Sequence, residues 1–293
     1  MMLGTSADAA PGAGGRFEVP RGCQEKRMEH HASVTVGPKI TRLPTDRPEG
    51  CPFDPPTELA DLRSQAPLCR MLFPDGHLGW LVTGHRLVRA VLADSRFSAR
   101  YELMHSPFPG PAAEMRRALS GDMSGVDPPE HTRYRQLVAG KFTVRRMRQL
   151  SDRIEGFAAE HLEAMRRHGP PVDLVEAYAK PVPALVICEL LGVPYSEREI
   201  FQRLTAGVMR QDASREDYAT AKQGLEEYLH GLVRDKRAKP TDDLLSDLTN
   251  SDLSDDELSG LGGFMLGAGL DTTASLLGLG TFARCLLLCL VDF

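Results

Sequence analysis

The sequence predicts a mainly α-helical fold carrying one small β-sheet. Three observations point there. From Pro128 onward, apolar residues recur at spacings of three and four in most segments, the period of an amphipathic helix. Two short apolar runs around a Pro74-Asp75-Gly76-His77 turn read as a hairpin near residue 70. No segment repeats at a fixed period, which sets aside solenoids and propellers.

Composition narrows the class. The 293 residues carry 35 Lys and Arg against 40 Asp and Glu, a net charge of −5. That length suits about two ordinary domains or one large one. A hydrophobic content of 42% and a charged content of 26% are those of a chain with a buried core. An acidic balance excludes a general nucleic-acid binder; an anionic partner needs a local patch. The six cysteines, at 23, 51, 69, 188, 285 and 289, form no Cys-x-x-Cys pair. A disulfide scaffold, a zinc ribbon and a redox dithiol are therefore unwritten, and a reducing, cytoplasmic setting follows.

The elements come in order. Residues 1–45 show neither helical nor strand periodicity and no apolar core of the secretory kind, so they read as a disordered leader, with residues 46–293 forming the domain. Met28 is an alternative start, and His30-His31 reads as a solvated pair. A short helix begins near Pro56, with Leu59 and Leu62 on one face. The hairpin pairs Leu68–Phe73 with Gly79–Thr83. Gly84 opens a helix to Asp94 with Leu87, Val88, Val91 and Leu92 inward. Residues 101–125 are a long Gly- and Pro-rich loop, a class that tends to be functional or mobile.

Helices then dominate. Asp127-Pro128-Pro129-Glu130 is a start signal with proline in the first turn and an acid near the N-terminus. Val144 to His168 has apolar residues at 147, 150, 154, 157, 158, 162 and 165. Leu174–Leu191 is helical with Pro181 and Pro183 at a start or kink, and Gly192-Val193-Pro194 stops it. Helices to about Arg210, about Lys239 and Leu248 follow Ser196, Ser214 and Asp242, and Ser254-Asp255-Asp256-Glu257 caps a last, strongly apolar helix.

Two charge blocks stand out. Residues 133–148 hold six basic side chains and no acid; residues 242–257 hold seven acids and no base. The acidic block reads as a solvated face, whereas the basic block can dock an acidic protein or phosphates. Within the basic helix, His131 and Arg135 are four residues apart and project from one face. Together they can hold an anion, Arg bidentately and His through an N–H; on spacing alone a solvated pair is the default.

The last helix carries a sharper signal. Gly262, Gly263, Gly267 and Gly269 interrupt its apolar run, and each interior glycine costs about 0.5–1 kcal/mol relative to Ala. Such a cluster points to something approaching the backbone closely. Asp271, Thr272 and Thr273 follow. A buried carboxylate costs several kcal/mol unless paired, and a Thr272 hydroxyl bonded back to the Ala268 carbonyl would bend the helix there. An acid, a hydroxyl and a widened groove make a water-fed proton relay beside a bound reactant. A membrane span over Leu261–Ala283 with Gly263-x-x-x-Gly267 is the second reading. Against it stand Asp271, at about 2.5–3.5 kcal/mol in mid-bilayer, the nearby Arg284, and the lack of a flanking basic cluster or aromatic belt.

These segments resemble a known family. The run GFMLGAGLDTTAS over Gly263–Ser275 is similar to the oxygen-binding central helix of bacterial cytochrome P-450 monooxygenases, whose pattern is Ala/Gly-Gly-x-Asp/Glu-Thr-Thr/Ser. Ala268, Gly269, Asp271, Thr272 and Thr273 match it position for position. The segment DPPEHTRYRQLVAGKFTVRRM over Asp127–Met147 resembles the family's C helix and following turn, where His-x-x-x-Arg grips a haem propionate; His131 and Arg135 fill those places. Gly79–Arg100 resembles the first β pair and B helix, and Ala184–Ser196 the E helix and its turn. The resemblance spans residues 46–284.

It implies an α-dominated P-450 fold with haem b (iron protoporphyrin IX). His131, Arg135, Ala268 and Gly269 would contact the cofactor, and Asp271 and Thr272 would deliver protons. The implied reaction hydroxylates or epoxidises an apolar small molecule with O2. Electrons would come from NADPH indirectly, through a ferredoxin or similar acidic partner docked on the basic 133–148 block, and the loop 101–125 would cover the substrate. A monomer, with no nucleic-acid or membrane partner, is expected. The family's later Glu-x-x-Arg helix and Phe-x-x-Gly-x-x-x-Cys-x-Gly loop have no match, and neither Cys285 nor Cys289 lies in such a loop. The fold therefore reads as incomplete at the C-terminus, through a frameshift or premature stop, without the axial-cysteine segment and with activity of the chain as given doubtful. Two alternatives accompany this reading: a non-catalytic fragment without firmly bound haem, and a helical protein anchored by 261–283.

Overall fold

The structure, a computed structural model, describes residues 2–3, 36–49, 54–109, 117–210 and 213–291, with side chains omitted at 2–3, 209 and 286–291. Most of the expected leader, with His30-His31 and Met28, and the middle of the 101–125 loop lie outside the described residues, as do the side chains of the CLLLCLVDF end beyond Cys285. Two compact units are present: Met1–Ala118 with Gly125–Asp127, and Leu119–Ser124 with Pro128–Phe293.

The first unit is built on a sheet of β1 (Met2–Leu3), β2 (Val36–Ile40), β3 (Leu68–Leu72) and β4 (Leu78–Val82), ordered β1-β4-β3-β2. The expected hairpin is present: β3 and β4 pair antiparallel with Cys69 opposite Leu81 and Met71 opposite Gly79. Its turn closes through Phe73 N–H to His77 O at 2.8 Å, with Gly76 at φ 88°, the left-handed region that glycine enters without a steric cost. Cys69, Met71, Phe73 and Leu81 are buried together, packed by Ile40, Leu43, Leu59 and Leu62. Leu59 and Leu62 come from α1 (Thr57–Gln65).

Two expectations fail in this unit. Val36–Ile40, read as part of the leader, pairs parallel with β3. Pro38 has no N–H and falls where the register shifts between Gly37 and Ile40, so the strand lacks the alternation by which strands are recognised. In α2 (His85–Ala93), Leu92 is 59% exposed rather than inward. The loop beyond is tied back to the hairpin turn, since the His105 ring stacks on His77 at 3.8 Å and its Nδ1 lies 2.5 Å from an Asp75 oxygen.

The second unit is helical: α3 (Glu130–Ala139), α4 (Val144–His168), α5 (Pro181–Leu191), α6 (Arg198–Met209), α7 (Arg215–Ala238), α8 (Leu244–Leu248) and α9 (Asp255–Val291). Most start signals lie where expected, but Ser196 makes no cap: Tyr195–Glu197 is a 3-10 turn and α6 starts at Arg198 without a side-chain cap. Thr143, Ser214 and Asp243 cap α4, α7 and α8 through their side chains. Ser254 and Glu257 form a reciprocal capping box on α9, Glu257 N–H to Ser254 Oγ at 3.2 Å and Ser254 N–H to Glu257 Oε2 at 2.8 Å. Pro181 is the first residue of α5, directly after a π-helical turn over Val175–Ala179. Gly192 ends α5 at φ 68° against a buried pair, Lys236 Nζ to Asp243 Oδ2 at 2.8 Å. Leu191, Phe201, Leu229, Val233, Leu245, Leu258 and Leu261 form the core. Among the described residues no helix is long and apolar enough to cross a membrane.

Candidate functional site

α3 begins at Glu130, just after the two prolines. Its orientation comes from Tyr134 and Val138, 1% and 7% exposed. One turn from Tyr134, His131 is half-buried, and Arg135 follows it on the exposed side. Neither residue forms a hydrogen bond or ion pair among the described residues. The basic pair is thus presented rather than spent within the chain.

The other basic residues of this block behave differently. Arg133 reaches Glu257 at 2.6 Å and Asp252 at 3.2 Å; Arg145 reaches Asp242 at 3.4 Å; Arg146 reaches Asp247 at 2.8 Å and Asp242 at 3.6 Å. The acids Asp243, Asp255 and Asp256 face Lys236, Arg237 and His230. Six of the seven acids of residues 242–257 therefore have an Arg or Lys neighbour; Asp242, Asp252 and Asp256 are solvent-exposed, as the reading of that block as a solvated face expects, while Asp243 and Glu257 are drawn into the fold. Arg135, Lys141 and Arg148 are the members of the basic block without an ionic partner among the described residues.

Glu257 is the centre of a compact node that the sequence did not single out. Its Oε1 accepts from Arg133 Nη1 at 2.6 Å and from the Tyr134 hydroxyl at 3.0 Å. Tyr134 Oη in turn accepts the Gly121 N–H at 3.3 Å. Gly121 has φ 85°, and a Cβ there would stand 2.1 Å from the Glu257 carbonyl oxygen, so only glycine lets this segment lie on α9. Partial burial pushes the Glu257 carboxyl up, but the Ser254 amide, Arg133 and the Tyr134 hydroxyl outweigh it and hold it down to about 2. Burial, with Glu257 beside it, pushes the Tyr134 hydroxyl far above its ordinary value.

On α9 the structure sorts the glycines. A Cβ on Gly262 or Gly263 would meet Leu229 of α7 at 3.3 or 3.7 Å, and one on Gly269 would meet Ile187 of α5 at 3.1 Å. These three allow close helix packing. Gly267 alone of the four has nothing within 4 Å of a Cβ position, and the next residue, Ala268, is exposed. Thr272 is also exposed, and its hydroxyl donates to the Ala268 carbonyl at 2.7 Å, the back-bond the spacing predicts. Asp271 is exposed, without hydrogen bond or ion pair among the described residues, so it bears none of the desolvation expected of an acid in an apolar helix. Glu257, Leu261, Ala268 and Thr272 follow at intervals of four, seven and four, which places them on one stripe of α9. Leu261 is fully buried and Ala268 is open, so the stripe passes from packed core to accessible surface. It runs about 22 Å, at roughly 1.5 Å per residue, from the α3 node to Thr272.

This donor set fits a haem. A free guanidinium and an imidazole on one face of α3 match two carboxylates. A stretch of α9 with a Cβ-free residue, an alanine and a back-bonded threonine offers a flat ring a close approach. Cys69 and Cys188 are not poised as metal ligands: burial pushes the Cys69 thiol up and the Cys188 thiol up to about 12, whereas a thiolate is the ligating form.

Comparison with known proteins gives the family. No protein-family profile matches the chain. It is 47% identical over 232 residues to cytochrome P450 105C1 of a Streptomyces species, covering 78% of this chain and 57% of that protein. It is 41% identical over 252 residues to cytochrome P450-SOY of Streptomyces griseus, covering 83% and 59%. The solved structure of Streptomyces peucetius CYP105P2 with a biphenyl compound superposes at a TM-score of 0.76 with 39% identity, covering 86% of this chain and 65% of that one. The chain thus spans about three-fifths of the length of the curated relatives it matches. With an α-dominated fold, a small sheet and this level of identity, the chain belongs to the cytochrome P450 family.

Proposed function

We propose that the chain supplies the propionate-binding and oxygen-side parts of a haem-dependent monooxygenase. The observation that carries this reading is the open stretch of α9, where Ala268 and the back-bonded Thr272 are accessible on the same side of the helix as the packed Glu257, the residue that grips the His131–Arg135 helix. Arg135 and His131 would hold the haem propionates. Haem b, when bound, supplies the redox chemistry that activates dioxygen. No residue described here is assigned as its axial ligand.

The chain's own residues would then manage protons. Thr272, with its hydroxyl hydrogen committed to the Ala268 carbonyl, keeps oxygen lone pairs free to accept from a bound molecule or a water. Asp271, exposed and unpaired among the described residues, exchanges protons with solvent and passes them toward that hydroxyl. Positioned transfer of this kind contributes roughly 10²–10⁴-fold. Gly269 would act indirectly, by letting α5 approach through Ile187. The balanced reaction is R–H + O2 + NADPH + H⁺ giving R–OH + H2O + NADP⁺, with the electrons relayed by a ferredoxin-like acidic protein. Of the basic block, Lys141 and Arg148 remain to receive that partner, because Arg133, Arg145 and Arg146 are engaged internally and Arg135 is assigned to the haem. An apolar small molecule is the expected substrate class, in keeping with the biphenyl compound bound by the Streptomyces peucetius relative.

The test is isotopic. Haem-loaded protein fed by NADPH, a ferredoxin reductase and a ferredoxin under ¹⁸O2 should place one labelled oxygen in an apolar substrate. Turnover of NADPH with no label in any organic product contradicts the reading.

A further inference from the structure

We propose that Glu257 is a positioning residue for haem capture, fixing through Tyr134 and Arg133 the register of the His131–Arg135 helix against the Ala268–Thr272 stretch. This rests on the haem reading above and adds a residue that neither the P-450 motif nor the helix-start signal contains.

Two α3 side chains meet directly at that carboxylate, and the loop at Gly121 joins it through Tyr134. Arg133 and Tyr134 arrive from α3 at 2.6 and 3.0 Å. The loop at Gly121 arrives through the Tyr134 oxygen, while Ser120 lies close enough that a Cβ on Gly260 would clash with its carbonyl oxygen. The first turn of α9 contributes the carboxylate itself, whose second oxygen caps Ser254 N–H at 2.8 Å. The Tyr134 ring is 1% exposed, so the hydroxyl's bonds are made away from water, where losing one partner is costly.

The geometry explains why this node matters for a ligand that needs both helices. α3 bears the anion-binding pair; α9 bears the open stripe. Besides Glu257, α3 is held by its buried Tyr134 and Val138, by Arg133 on Asp252 at 3.2 Å, and by Glu130, which offers the Tyr134 hydroxyl a second acceptor at 3.1 Å; of these contacts Glu257 alone takes both Arg133 and Tyr134. A charge-assisted fork from Glu257 to a guanidinium and a phenol has directional preference and so selects one register. A small misplacement of a positioning group is expensive for a rigid ligand bound at two places.

The experiment uses the full chain, with haemin as probe and amide hydrogen exchange as a haem-free readout. In Glu257→Gln and in the gentler Tyr134→Phe, exchange over Glu130–Ala139 should quicken by about tenfold with α5 and α7 unchanged. Haemin affinity should fall by roughly three- to tenfold in the same variants, and Arg135→Ala added to Glu257→Gln should cost less than it does alone. Unchanged α3 exchange in both variants overturns the proposal. So does quickened exchange with unaltered haemin affinity while Arg135→Ala still weakens binding, a result that leaves the haem reading standing. If Arg135→Ala is without effect, or the parent takes up no haemin, the haem reading fails and this proposal falls with it.

Discussion

The Thr272 hydroxyl donates to the Ala268 carbonyl at 2.7 Å, which leaves the hydroxyl oxygen facing an open stripe of α9. That bond leaves the oxygen's lone pairs to accept from a bound molecule in the function proposed above, and Asp271 beside it is exposed.

Replacing Thr272 by Val keeps the shape and removes the hydroxyl. Product formed per NADPH consumed should drop by about tenfold or more, with hydrogen peroxide making up the difference. Unchanged coupling would remove the relay role.

Arg135→Ala and His131→Ala should each weaken haemin binding, by about ten- to a hundredfold for the arginine, whose bidentate hold is the stronger of the two. Arg148→Ala should leave haemin affinity alone. Equilibrium titration of the haemin absorbance measures all three.

Lys141→Glu and Arg148→Glu should slow ferredoxin-driven reduction several-fold at low salt and lose that effect at about 0.5 M, where screening is nearly complete. Arg145→Glu should do less, because Asp242 already engages its guanidinium. Stopped-flow reduction kinetics distinguish them.

Acid should loosen α3. Glu257 is held at about 2 in the fold, below its ordinary value of 4.5, so its contribution is fully present above pH 4.5 and fades as the pH falls toward 2. Stability measured by urea unfolding should therefore decline across that window in the parent and less steeply in Glu257→Gln.

Gly192→Ala should destabilise the second unit by about 2–4 kcal/mol. The position has φ 68°, and a Cβ would stand 2.2 Å from Asp243 Oδ2 and 2.5 Å from Lys236 Nζ. Chemical denaturation checks this.

Much of this molecule is legible in its sequence where signals are local. The caps at Ser214 and Ser254, the β3–β4 hairpin and the Thr272 back-bond depend on residues within a few positions of one another, and spacing finds them; the Thr143 and Asp243 caps go unread, and Ser196 makes none. What spacing missed is long-range. The partners of the acidic block lie up to 124 residues away, as Arg133 does from Glu257, and a charge run carries no mark of its complement. Gly262, Gly263 and Gly269 announced close approach, but only the fold shows that the approaching groups are Leu229 and Ile187. Val36–Ile40 became a strand because β3 offered a free edge, a tertiary cause with no local pattern.

The central claim is that α3 and α9 hold one and the same haem. Amide hydrogen exchange of the full chain, with and without one equivalent of haemin, tests it directly. Joint slowing over 130–136 and 266–274, abolished together by Arg135→Ala, is the result expected here; slowing confined to one of those stretches, or located elsewhere, would contradict it.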